Sequence, residues 1–326
     1  MSNLRFSVPY NNNYSLLNKL SEIKDLSRNK IEEVYLAGPQ EYFGSGRVTP
    51  KYELVDFIDV IKFCHENGLK VNLLLNSQCE GLEWYNPQNV SRIINYVKDL
   101  HNNHELDTVT IANPLFIQKI RKELPKIKIC ASVLSYVNSV QRAMFFDKFG
   151  VDEIIPDRDI NRDLELLIQI KESVNAKLKL MVNEGCLYEC PYKLFHDNWI
   201  SHASKEGIRI DPALKNCGAI FKIDNSQLLK SSWIMPEDMK KYRKITECFK
   251  LVGRDKSNEF ILTSAKAYLS ETSTTNLMDI INGTPQFFVD SMMLTKSNFF
   301  ETVTSCNQNC FKCNYCEFLA KQIQTL

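Results

Sequence analysis

Short β-branched, apolar runs alternate along this chain with longer stretches in which apolar side chains recur every three or four positions. The first pattern fits a buried strand and the second a helix with one apolar face. Residues 4–9 predict the first strand, and Leu16, Leu17, Leu20, Ile23 and Leu26 the helix after it. A second strand over 33–37 is closed by Gly38-Pro39, and a helix over 54–66 stops before Gly68. Residues 70–75 predict the third strand, followed by a helix with Val90, Ile93, Ile94, Val97 and Leu100 on one face. Strands four to six are expected at 108–112, 127–132 and 153–156, with helices over 114–124, 137–149 and 163–174. The seventh strand is 177–182. A long irregular stretch then precedes a helix near 236–247, the eighth strand at 249–252 and a helix from Asn258.

Strict alternation of eight strands with eight helices predicts an α/β fold, a (βα)8 TIM-like barrel, rather than an open doubly wound sheet. The first turn, Pro9-Tyr10-Asn11-Asn12, lacks the glycines expected of a nucleotide-binding sheet. Two segments fall outside the repeat: an insertion over 184–235 after the seventh strand, and a C-terminal stretch over 291–326. The expected division is a barrel over 1–290, insertion included, and a Cys-rich metal-binding tail over 291–326.

Composition narrows the function classes. The chain has 326 residues, 44% hydrophobic and 24% charged, which is ordinary for a globular protein. Lys and Arg number 40 against 39 Asp and Glu, so no basic footprint steers it to nucleic acid. No run approaches the roughly 18 apolar residues of a membrane span, and no secretory signal opens the sequence. A cytoplasmic location is the expectation.

The eleven cysteines change the picture, because disulfides are rare in a reducing compartment and clustered thiols there point to metal or catalysis. Cys64, Cys130 and Cys248 read as small buried hydrophobes, and Cys79 sits in a loop after a strand. The tail reads Cys306-x3-Cys310-x2-Cys313-x2-Cys316, four soft ligands within eleven residues. Iron–sulfur and a four-thiolate zinc site both fit it. The insertion carries Cys186 and Cys190 in Asn183-Glu184-Gly185-Cys186-Leu187-Tyr188-Glu189-Cys190-Pro191, and Cys217 farther on. Cys186 directly follows the seventh strand, at the barrel face where active sites are built. The seven thiols allow one cluster that borrows a tail cysteine, or two centres divided three and four. A cluster on three cysteines would leave one iron open to substrate.

The stretch from Val182 to Asn198, with Cys217 and Val252-Gly253-Arg254-Asp255, resembles the collagenase-like peptidase family U32, and the tail is similar to tails in one branch of it. The family name implies proteolysis. Other members that it resembles are oxygen-independent hydroxylation factors of ubiquinone synthesis and factors that hydroxylate bases in transfer and ribosomal RNA. The resemblance implies a four-iron, four-sulfur cluster and a hydroxylation-like reaction; an RNA, a peptide or a small aromatic acid would each fit as substrate, and either kind of catalyst could need a partner subunit. Those relatives hold their cluster on four cysteines; here the insertion has three.

Several other residues fall at the same face. Asn11, Asn76, Asn113, Ser132 and Asn183 are expected mainly as helix caps, with Asp157 at the same face. Arg158 and Arg254 are the substrate candidates, since guanidinium binds carboxylate or phosphate bidentately. Their alternative is pairing with Asp157, Asp159 or Asp255. Glu184 is the candidate acid or base, or a solvated loop residue. His196 and His202 are read as exposed and uninvolved, and Gly44-Ser45-Gly46-Arg47 as a weak phosphate-loop candidate.

Rival readings remain. Proteolysis lacks H-E-x-x-H and G-x-S-x-G, which leaves a Cys–His pair. Cys306, Cys310 and Cys313 have the spacing of radical enzymes that use S-adenosylmethionine, but follow the last helix instead of the first strand. A non-catalytic subunit that binds a partner through its cluster or zinc is the third. The preferred reading assigns Cys186, Cys190 and Cys217 to a catalytic cluster, the tail cysteines to metal, and Glu184, Arg158 and Arg254 to the substrate.

Overall fold

The structure, a computed structural model, describes residues 3–51, 53–283 and 286–326. Eight parallel strands close into a barrel in sequence order: β1 (Arg5–Pro9), β2 (Lys30–Ala37), β3 (Lys70–Leu75), β4 (Thr108–Ile111), β5 (Lys128–Ala131), β6 (Glu153–Ile154), β7 (Lys177–Met181) and β8 (Cys248–Lys250). β1 pairs with both β2 and β8, so no edge is left open. The expected (βα)8 barrel is the fold observed.

Helix starts explain how short loops suffice at the C-terminal face. Asn13, Asn86, Asn113, Ser139, Asp163 and Ser257 each accept a hydrogen bond from the first turn of the helix they precede. Each cap satisfies an amide the helix cannot. The first helix buries Leu16, Leu17, Leu20 and Ile23 against the strands and ends there, so Leu26, expected on the same face, is exposed.

The chain between β7 and β8 departs from the expected irregular stretch. It folds into helices Lys193–Glu206, Pro212–Ile223 and Ser226–Lys230. The helix expected near 236–247 is instead a 3-10 segment, Pro236–Tyr242, whose buried Pro236, Met239 and Tyr242 recur every three residues, the 3-10 period. Beyond β8 come the helix Asn258–Ser270 and then the tail helices Ser291–Lys296, Phe299–Ser305 and Tyr315–Ala320. Phe299 stacks between Trp233 and Tyr315, at ring distances of 5.4 and 6.5 Å. Arg162 lies 4.9 Å over Trp233 and donates to the Leu229 carbonyl at 2.7 Å, so aromatic and cationic contacts seat the tail on the insertion.

Candidate functional site at the barrel mouth

β7 delivers Val182, Asn183 and Glu184 to the C-terminal face. Asn183 is a fastener: its Oδ1 accepts from the Val252 amide at 2.8 Å and its Nδ2 donates to the Ile280 carbonyl at 3.0 Å. The backbone beyond it pairs with Asn282, and Gly185 is needed there because a Cβ would meet Ile281 at 2.9 Å. Glu184, 6% exposed, accepts from Asn282 Nδ2 at 3.2 Å and pairs with Arg47 at 3.3 Å. It is a fixed buried carboxylate, not a solvated loop residue, and the Cys186 thiol donates to it at 3.4 Å.

Cys190 directly precedes the helix Lys193–Glu206, and Cys217 lies inside Pro212–Ile223, whose start Asp211 caps. These segments bring Cys186, Cys190 and Cys217 to one cavity of about 320 Å³, shared with Arg47, Arg158 and Glu184. Burial pushes the Cys186 thiol up, against the pull of Arg158, and burial with Cys190 does the same to Cys217. Burial thus favours the protonated thiols, whose protons a soft metal would have to displace. Three soft donors facing one cavity fit an iron–sulfur group in donor chemistry. Among the described residues, no three His, Cys, Asp or Glu side chains are set to hold a single ion.

The arginines do not take the carboxylates open to them in sequence. Lys193 occupies both Asp157 and Asp159, at 2.5 and 2.6 Å, and Asp255 sits 3.8 Å from Lys256. Among the described residues Arg158 is thereby left without an ion pair, only 8% exposed and with its Nε unpartnered, although Asp197, Glu184 and Asp159 nearby favour its charge against burial. Arg254, 4% exposed, donates to Ser45 Oγ at 3.5 Å and lies 5.9 Å over the Tyr35 ring, while its Nη1 has no partner among the described residues. Both line a narrower cavity of about 60 Å³ on the barrel axis, with Arg47, Glu184, Asp197, Tyr35 and Lys250.

Other candidates settle into structural roles. Asn113 caps its helix, Ser132 and Asp157 cap short turns, and Asn11 donates to the Lys256 carbonyl and to Asn258. The Gly44–Arg47 loop is not a phosphate cradle, because its amides are already taken. Gly44 donates to Glu80, Ser45 to Ser204 Oγ at 2.8 Å and Gly46 to Asn76 Oδ1 at 3.1 Å. Its contribution is Arg47. His202 is exposed, but His196 is not uninvolved: its Nε2 lies 2.7 Å from Asp211 and it lines the cysteine cavity. Sequence reasoning missed Asp197 and Lys250, and placed Arg47 in a phosphate loop, not beside Glu184 at the mouth. A lysine inside an otherwise apolar strand was the available signal for Lys250.

The tail cysteines line a separate cavity of about 50 Å³ that shares no lining residue with the first. Cys306, Cys310 and Cys313 are exposed and Cys316 is half-buried. The two groups are neighbours all the same, since the Tyr188 hydroxyl, between Cys186 and Cys190, donates to Gln308, between Cys306 and Cys310. A wider groove of about 1000 Å³ between the β4 and β5 loops carries Tyr85, Tyr136 and Phe145 and no cysteine.

Comparisons with known proteins agree with this architecture. The model of peptidase family U32 matches residues 18–207. An uncharacterized protease of Methanocaldococcus jannaschii is 30% identical over 315 residues, covering 94% of this chain and 92% of the relative. The solved structure of the U32 peptidase Mk0906 superposes with a TM-score of 0.59 at 21% identity, over 77% of this chain and 93% of that one, a likeness of fold. With the family model over most of the barrel and a relative matched nearly end to end, the chain belongs to peptidase family U32.

Proposed function

We propose that this chain is an iron–sulfur enzyme that carries out an oxygen-independent, hydroxylation-like modification at the barrel mouth. The observation that carries the reading is that three cysteines and the unpaired Arg158 line one cavity at the C-terminal face. Cys186, Cys190 and Cys217 would hold a four-iron, four-sulfur cluster, which supplies one-electron chemistry and, with three protein ligands, an open coordination position. Arg158 and Arg254 bind and orient an anionic group of the substrate. Glu184, held by Arg47 and Asn282, keeps a carboxylate beside the reacting position and holds or moves a proton there. The four tail cysteines would hold a second centre, with zinc as the alternative to iron.

The test is spectroscopic. Protein purified without oxygen and then reduced is expected to show the EPR signal of a reduced cluster. Cys186→Ser, Cys190→Ser and Cys217→Ser together should remove one signal, and the tail variant should leave it. A protein silent after reduction, carrying zinc without sulfide, overturns the reading.

One observation favours a second reading, peptide hydrolysis. The His196–Asp211 pair shares the cavity with Cys190 and Cys217, the parts of an oriented nucleophile–base pair. Metal-free protein that cleaves peptides, and stops doing so in His196→Ala, would put this reading first.

A further inference from the structure

The barrel axis beneath the cysteine cavity holds a lysine that no role above uses. Lys250, on β8, is 6% exposed and reaches into the narrow mouth cavity below Arg158, Arg254 and Arg47. Its ammonium lies 3.9 Å from the centre of the Tyr35 ring. Among the described residues no carboxylate pairs with it. Lys179, one strand away, is held by two carboxylates at 2.6 Å. Burial chiefly, with the like charges of Lys179 and Arg254, pushes Lys250 down to about 7, and Cys130 and Glu33 oppose this only in part. A buried amine that is substantially uncharged near neutrality is a nucleophile.

The walls above this amine select the ligand. Arg47, Arg158 and Arg254 face only two carboxylates, Glu184 and Asp197, in that cavity. Among the described residues, Arg158 Nε and Arg254 Nη1 are buried donors without acceptors. Leaving such donors unpaired costs about 1–3 kcal/mol each, which a bound anion would relieve. An uncharged amine below and open guanidinium donors above fit a small molecule with an electrophilic carbon at one end and a carboxylate at the other. We propose that Lys250 forms an iminium with the carbonyl carbon of a short oxo acid whose carboxylate is held by Arg158 and Arg254.

The step balances without an oxidant. The Nζ lone pair attacks the carbonyl carbon and the C–N bond forms. The carbonyl oxygen takes one proton from the amine and one from solvent and leaves as water. The protonated imine that results draws electrons from the adjacent carbon, and water reverses it. Nothing in the step involves the three cysteines; the proposal shares only the anion-binding Arg158 and Arg254 with the iron–sulfur reading.

The experiment uses the full chain with glyoxylate or pyruvate as probe and cyanoborohydride as trap, read by peptide mass spectrometry near neutral pH. The expected result is an adduct at Lys250, roughly tenfold above any other lysine and reduced about tenfold in Arg158→Gln, the scale of one lost charge-assisted contact. Lys250→Arg should abolish it. Because that variant can fail to fold, the wild type is also labelled across pH, with half-maximal reaction of Lys250 expected near neutrality. Labelling spread over exposed lysines with Lys250 unmodified overturns the proposal. So does reaction of Lys250 only where ordinary lysines react, or labelling that Arg158→Gln leaves unchanged. Iron and sulfide measured on the same sample read the cluster separately.

Discussion

The lower and upper halves of the barrel interior both bury charge, and they treat it in opposite ways. Below, Lys179 sits 2.6 Å from both Glu33 and Glu153, Lys128 adds a contact to Glu153 at 2.7 Å, and Asn72 and Thr110 extend the network. Burial alone would raise Glu33, but the Lys179 ammonium outweighs it and holds the carboxyl below its usual range. Above, Arg158, Arg254 and Lys250 are nearly as deeply buried, and among the described residues none forms an ion pair; burial disfavours the charge of Arg254 and Lys250, while Asp197, Glu184 and Asp159 favour that of Arg158 from nearby. The protein pairs the buried charges of one layer and leaves Arg254 and Lys250 of the next without an ion pair among the described residues. Buried charge in the lower layer is architecture, and in the upper layer it is readiness to bind.

The sharpest way to break this contrast is Lys179→Met, which leaves Glu33 and Glu153 facing each other uncompensated. Urea unfolding should show a loss of about 3–5 kcal/mol. A loss below about 1 kcal/mol would mean that the lower layer is not held by its charges. Lys250→Met should go the other way. The folded state disfavours the Lys250 charge, so a penalty is fully present below about pH 7 and disappears as pH rises toward the ordinary lysine value. The variant is therefore expected to be more stable than wild type by a few kcal/mol at mildly acid pH, with the gain fading in alkali. A pH-independent difference would contradict the assignment.

Arg158→Met should cost about 1–3 kcal/mol, because it removes a buried cation whose charge the neighbouring Asp197, Glu184 and Asp159 favour against burial. A small dicarboxylate such as malonate should raise the Tm of wild type and not of this variant. Equal shifts in both would place the anion site elsewhere. The smallest effect is expected at Tyr188→Phe, which removes the hydroxyl contact to Gln308. It should change stability by less than about 0.5 kcal/mol. A larger loss would show that the two cysteine groups are mechanically coupled.

The sequence made much of this scaffold visible. The helix Leu54–Glu66 and the strand Lys70–Leu75 have the same bounds in the pattern and in the structure, because their periodicity is uninterrupted. The insertion was opaque for a physical reason. Its helix Lys193–Glu206 turns Asp197, Ser201 and Ser204 inward beside Ile200, and these bond to Tyr136, Gln78 and Ser45 at the mouth. A helix that serves a polar site on its buried face carries no apolar period to read. The cysteines could be found by type alone. Lys250 left only the signal of a lysine in an apolar strand and Arg47 only a weak loop motif, and the meaning of both depends on which partners the fold grants or withholds. Arg158 shows the same limit: the nearby Asp157 and Asp159 suggest ion pairs in sequence, and only the position of Lys193 reveals that they are taken.

The central claim is that the cysteines form two separate groups at this mouth, three of them lining the cavity that also holds Arg158. The most direct measurement is iron, acid-labile sulfide and zinc in protein purified without oxygen. Wild type would be compared with a variant lacking Cys306, Cys310, Cys313 and Cys316 and with one lacking Cys186, Cys190 and Cys217. The account predicts that iron falls from about eight to about four in each variant, or that only the cavity variant loses it if the tail holds zinc. About four irons lost entirely in both variants would mean one shared cluster and contradict the separation, and zinc without sulfide in wild type would contradict the account as a whole.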